Sequence, residues 1–240
     1  GPIMRNTWAI MLKECRAYFT TPTAYIIGAM FLVLTGIFFV NDVTSPFAEA
    51  SVRGFTNWAS FFTLFLAPLL TMRLLSEEQK LGTLELLLTA PVRDWEVVLG
   101  KYLAALSLYV ATLALTLYYV VLLYWFGDPD SGPIYSAYIG VLLHGSAALA
   151  IGLMASSLTG NQIISAVVAT ATLLTLSFID QVAVLVDGIA QEILLSFSMN
   201  DHLLDFRRGI IDTSNVVYFI SVTAIFIFLT IRFLETRRWR

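Results

Sequence analysis

The sequence predicts an all-α polytopic membrane protein with six transmembrane helices, and three observations lead there. First, 58% of the 240 residues are hydrophobic and only 13% are charged, where a soluble domain carries about 25% charge. With a mean hydropathy of +0.79, such a chain cannot cover a water-facing surface. Second, the apolar residues gather into six segments, at about 24–40, 55–75, 97–126, 135–158, 161–180 and 216–234, near the roughly 20 residues that a bilayer requires. Third, Lys and Arg are unevenly shared between the two sides of those segments.

The elements follow in order. Gly1-Pro2-Ile3 looks like a protease-cleavage or cloning scar ahead of Met4, and 4–240 reads as a single transmembrane domain. Residues 5–20 form an amphipathic helix, with Trp8, Met11, Leu12, Cys15 and Phe19 on one face and Lys13, Glu14 and Arg16 off it. Such a helix lies in the membrane interface or packs, solvated, on a soluble partner. Its amphipathic character argues against a cleavable signal peptide. The third segment is longer than a bilayer needs and is expected to tilt or project. The fourth and fifth are separated by the tight turn Thr159-Gly160-Asn161-Gln162. The stretch 181–215 carries too many charges to span, and is expected to form short re-entrant or interfacial helices on the outer side.

Positive charge sets the orientation. Arg5, Lys13, Arg16, Arg73, Lys80, Arg93, Lys101, Arg232, Arg237, Arg238 and Arg240 fall on one side, and only Arg53, Arg207 and Arg208 on the other. Both termini and the 76–96 loop are therefore expected in the cytoplasm, with 41–54, 127–134 and 181–215 outside. Tyr118, Tyr119, Tyr124 and Trp125 are placed in an aromatic belt at the outer end of the third span.

The informative stretch runs from Ser76 to Lys101. Ser76 followed by Gln79 is a capping-box pattern opening a helix, Gly82 interrupts it, and Leu84, Leu87 and Leu88 present one apolar face. Pro91 ends the element, and a second helix starts near Asp94. The loop thus reads as a compact cytoplasmic helical hairpin, either a docking surface or a plain connector. Within the spans, His144 is expected as a helix-packing hydrogen-bonder, and Ala148, Gly152 and Ser156 as a small-residue stripe for close helix approach.

The run Glu77-Glu78-x-x-x-Gly82-Thr83-x-Glu85-x-Leu87-Leu88-x-x-Pro91-Val92, with Gly100-Lys101 after it, resembles the signature of ABC-2 type permeases. Tyr18-Phe19-Thr20-Thr21-Pro22-Thr23-Ala24-Tyr25 and Phe197-Ser198 … Asp205-Phe206-x-Arg208-Gly209-Ile210-Ile211-Asp212 resemble the branch of gliding-motility and nitrous-oxide-maturation permeases. The resemblance implies a pair of membrane subunits driven by two copies of a cytoplasmic ATPase, with the 76–96 hairpin as the coupling element. On that basis Glu77, Glu78, Gly82, Thr83, Glu85, Leu88 and Pro91 are expected at the ATPase contact. Gly28, Leu32, Ser165, Ala169 and Thr172 are expected at a dimer seam or translocation path.

The implied function is a permease subunit moving an unidentified substrate, by export, across the cytoplasmic membrane of a bacterium. The alternatives are a mechanotransmitting subunit acting on an extracytoplasmic auxiliary protein without transport, or an ion-coupled carrier. No phosphate loop, HExxH or G-x-S-x-G is present in the sequence, so the chain is not expected to be an enzyme. No cofactor or metal is expected on it; ATP and Mg2+ belong to the partner ATPase. A second copy or a like permease and membrane lipids complete the expected partners, and no nucleic acid is among them. The single cysteine, Cys15, rules out an intramolecular disulfide and a thiolate metal cluster.

Overall fold

The computed structural model describes residues 2–44, 51–84, 86 and 91–238, and among these every regular element is helical. The helices are α1 (Pro2–Thr20), α2 (Pro22–Val43), α3 (Arg53–Leu81), α4 (Asp94–Leu115), α5 (Leu117–Phe126), α6 (Ser131–Leu158), α7 (Gln162–Ala183), α8 (Ile189–Phe197), α9 (Met199–Arg207) and α10 (Thr213–Arg238). Six spans are long and apolar enough to cross a membrane: α2, α3, α4 with α5, α6, α7 and α10.

Local chemistry sets the helix ends. Pro22 opens α2, where a missing N–H costs nothing. Asn161 Oδ1 accepts from the N–H groups of Ile163 and Ile164 at 2.9 and 3.4 Å, capping α7 across the expected tight turn. Gly82 closes α3 at φ +69, a left-handed conformation that favours glycine. The Arg93 N–H donates to Glu96 Oε2 at 2.8 Å and starts α4.

α3 and α6 form the centre. In their most apolar windows 67% and 72% of residues are buried, against 22% for α2 and α7 and 11% for α10. Small side chains bring the central pair together, since a Cβ on Gly152 would collide with the Thr71 side chain. One turn on, Ser156 Oγ accepts from the N–H groups of Leu75 and Ser76, both at 3.0 Å, and donates to Met72 O. The small-residue stripe is therefore a packing device, with a hydrogen-bonded clasp at one end.

Two expectations are corrected here, at Ser76 and at Tyr119, and one is refined at Thr116. Ser76 caps no helix: α3 runs unbroken from Arg53 to Leu81, and Ser76 is fully buried. Its hydroxyl donates to Ser156 O at 3.0 Å and Gln79 Nε2 to Ser157 O at 2.7 Å, so tertiary partners on α6 satisfy the polar pair that resembled a capping box. The overlong third span breaks at Thr116, whose hydroxyl bonds the Leu113 carbonyl and pairs with Tyr138 Oη at 3.0 Å. Tyr119 leaves the expected aromatic belt. It stacks on Phe39 at 4.9 Å and donates to Leu32 O at 2.6 Å, tying α5 to α2. Tyr118, Tyr124 and Trp125 remain exposed.

The 181–215 stretch holds α8 and α9. α8 buries none of its residues, whereas α9 buries Met199, Leu203 and Phe206 against the bundle. Phe206 packs so closely on α6 that a Cβ on Gly140 would stand 2.5 Å from its own, and Ser136 Oγ donates to Phe206 O at 2.9 Å.

Candidate functional site

At the end of the bundle that carries the 76–96 loop, α1, α3 and α4 meet around one buried cation. Lys101 lies two turns into α4 and is 1% exposed. Its Nζ donates to Glu14 Oε1 of α1 at 2.7 Å and to Glu78 Oε1 of α3 at 2.9 Å. Removing an ammonium from water costs several kcal/mol unless it is paired and hydrogen-bonded, so two carboxylates from two other helices are drawn to it.

The rest of α1 follows. Met11 and Cys15 pack inward, with Cys15 Sγ 3.3 Å from Ser107 Oγ. The Tyr18 hydroxyl donates to the Leu70 carbonyl, and Asn6 Nδ2 reaches Glu96 at 3.4 Å. Gly100 allows this contact, because a Cβ there would stand 2.8 Å from Ile10. The expected apolar face of α1 is thereby divided. Met11 and Cys15 touch the protein, while Trp8, Leu12 and Phe19 are 59%, 40% and 54% exposed, a stripe suited to the interface. Glu14, placed off that face by its polarity, points inward because Lys101 is there.

Beside the triad lies a groove of about 510 Å³ lined by Lys13, Arg73, Glu77, Leu81 and Thr83 among others. Of the residues expected at an ATPase contact, Glu77 is half-exposed and pairs with Arg73 at 3.3 Å. Gly82 makes the turn, Thr83 is exposed with its hydroxyl 3.4 Å from Glu78 O, and Pro91 is exposed at the start of the return. Glu85 and Leu88 lie outside the described residues. Glu78 also lines the groove, and its Oε1 is taken by Lys101. In the sequence Lys101 stands out as a basic loop-side residue and as the end of the run that resembles the ABC-2 signature, neither of which points to a buried ion pair. Its signal is a lysine two turns inside an apolar helix; in the structure it lies at the floor of the groove, together with Glu14 and Glu78.

The seam residues fall in two groups. Ser165 and Ala169 are 0% and 1% exposed and face into the bundle, whereas Gly28, Leu32 and Thr172 are half-buried. The open face of α7 carries Ile163, Ile164, Val167 and Val168 instead. His144 is buried, yet it makes no hydrogen bond among the described residues, and its Nδ1 is left without a partner. The packing hydrogen bond expected of it is therefore absent.

Six apolar spans, two of them central, with a braced polar platform at one end, define a multi-pass membrane protein. The ABC-2 type transporter family matches residues 5–200, and the chain belongs to it. It is thus a permease subunit of an ABC transporter, of a family whose members work with an ATPase subunit and dimerise. No individually curated protein matches the chain.

Proposed function

We propose that this subunit exports a substrate across the cytoplasmic membrane of a bacterium, both termini inside. A separate ATPase holding ATP and Mg2+ drives it by docking at the 76–96 end. Within the family we place it in the branch of gliding-motility and nitrous-oxide-maturation permeases, on the runs at Tyr18–Tyr25 and Phe197–Asp212. The observation that carries the reading is the Lys101 triad. A stroke delivered to a loop is transmitted only if the loop is anchored, and here the elements flanking it are pinned to each other by buried charge-assisted hydrogen bonds. The excess of Lys and Arg at the same end supports its cytoplasmic placement.

The test is copurification of the ATPase and substrate-dependent hydrolysis in a Glu77→Ala, Glu85→Ala double variant, with Asp128→Ala as control. Truncating charged partners at an interface costs about 2–5 kcal/mol, so assembly should weaken by about 30-fold or more while membrane insertion is unchanged. Wild-type assembly and coupling in the double variant would remove the hairpin from the docking surface.

A further inference from the structure

At the opposite end of the bundle, α3, α6, α7 and α9 enclose a cavity of about 380 Å³. Its lining combines Arg207, His144, Asn57, Asn200, Ser60 and Ser177 with a wall of Trp58, Phe61, Leu64, Phe178 and Leu203. By helix rise, Leu64 sits about 16 Å and His144 about 20 Å from the ends of α3 and α6 on that side. The cavity therefore reaches well into the apolar zone.

Ser60 and Asn200 are hydrogen-bonded within the protein, to Thr56 O and to Asp180 Oδ2, but three polar atoms at the cavity are not. Arg207 Nε, His144 Nδ1 and Ser177 Oγ are all buried without a hydrogen-bond partner. His144 is 3% and Ser177 is 6% exposed, and both line the cavity. The four ion pairs among the described residues leave Arg207 out. Asp180 stands behind Asn200, its Oδ2 taking the Asn200 amide at 3.1 Å, and does not pair with the guanidinium. Arg207 is half-buried, with its Nε out of water, and it remains a cation; a cation held among apolar helices without an acidic partner is costly and marks a candidate functional site. Local helix chemistry places it there: Met199, Leu203 and Phe206 fix α9 against α6, and Arg207 follows at the same face one turn after Leu203.

We infer that this cavity binds an amphiphilic oxyanion, a carboxylate or phosphate carried on an apolar body. Arg207 offers the fork that matches such a group, the Ser177 hydroxyl and His144 supply further polar contacts, and Trp58, Phe61 and Phe178 receive the apolar part. An apolar pocket with a few convergent polar groups is the usual form of a small-ligand site. Binding at this cavity is independent of the export proposed above; only the identification of the ligand as cargo rests on it.

The probe is Trp58, in a full-length variant whose other tryptophans are replaced by phenylalanine, reconstituted in phosphatidylcholine nanodiscs. It is titrated with short-chain phosphatidic acid, with short-chain phosphatidylcholine and with inorganic phosphate. A saturable fluorescence change with phosphatidic acid and none with phosphatidylcholine is expected. Arg207→Gln should weaken it about tenfold or more, the equivalent of one hydrogen bond to a charge, and Arg207→Lys should weaken it less. An equal response to inorganic phosphate would assign the site to free anions rather than to lipids. Thermal unfolding separates binding from folding: Arg207→Gln should hold or raise Tm, because no internal bond is lost. Absence of saturation, equal affinity in Arg207→Gln, or a Tm loss matching the affinity loss would each overturn the inference. None of these results bears on ATPase copurification, so the export reading stands or falls separately.

Discussion

At the scale of single residues, Lys101 decides more than any other side chain. It is 2% exposed at the side chain, and its two acids are 14% and 17% exposed, so water screens the triad little. Lys101→Met should leave Glu14 and Glu78 buried without a cation and cost about 3–5 kcal/mol. The measurement is thermal unfolding in detergent. A triple variant with Glu14→Gln and Glu78→Gln should recover most of the loss, because neutral amides need no counter-charge. If single and triple variants lose the same stability, the triad is not what braces this end. A lysine in this position was legible as loop-side charge. Its partners were not, because they come from positions 87 and 23 residues away in sequence, and no local pattern links them.

Among elements, the docking of α1 on α4 is the contact that a sequence reading treats most loosely. Amphipathicity gives α1 an apolar face but cannot say which part of it meets lipid and which meets protein. The structure decides by shape: Gly100 leaves a notch on α4 for Ile10 and the Thr7 backbone. Gly100→Leu should lift α1 off, at about 1–3 kcal/mol. Disulfide formation between Cys15 and Ser107→Cys reports this directly, since Cys15 Sγ and Ser107 Oγ are 3.3 Å apart. Mild oxidation should close that bond with Gly100 present and fail with leucine there. Closure at an unchanged rate would show that the notch is not what seats the helix.

For the molecule as a whole, α2, α7 and α10 turn most of their apolar surface outward. Lipid covers such surface, and so does a second subunit. The seam proposed for a dimer is best placed on the open face of α7. With Cys15→Ser as background, a cysteine at Val167, 62% exposed, should crosslink two copies. A cysteine at Ala169, 1% exposed, should not. Crosslinking from another span with none from α7 would move the seam. The six spans, the turn at 159–162 and the short helices of 181–215 were all legible beforehand, because each depends on hydrophobicity, length and turn chemistry within one segment.

What the sequence by itself determined is therefore the class of the protein: how many spans it has, roughly where they lie, and which group of loops gathers positive charge. Those properties follow from the transfer of side chains and peptide groups into an apolar medium, which each segment undergoes alone. The tertiary structure decided what the polar residues inside that frame do. Ser76 reads as a cap and is a clasp to Ser156; Glu78 reads as an outward acid and holds Lys101; Arg207 reads as an outer-loop charge and lines a cavity. In each case the residue must find a partner after leaving water, and only the packing of distant helices determines which partner, or which empty space, it meets.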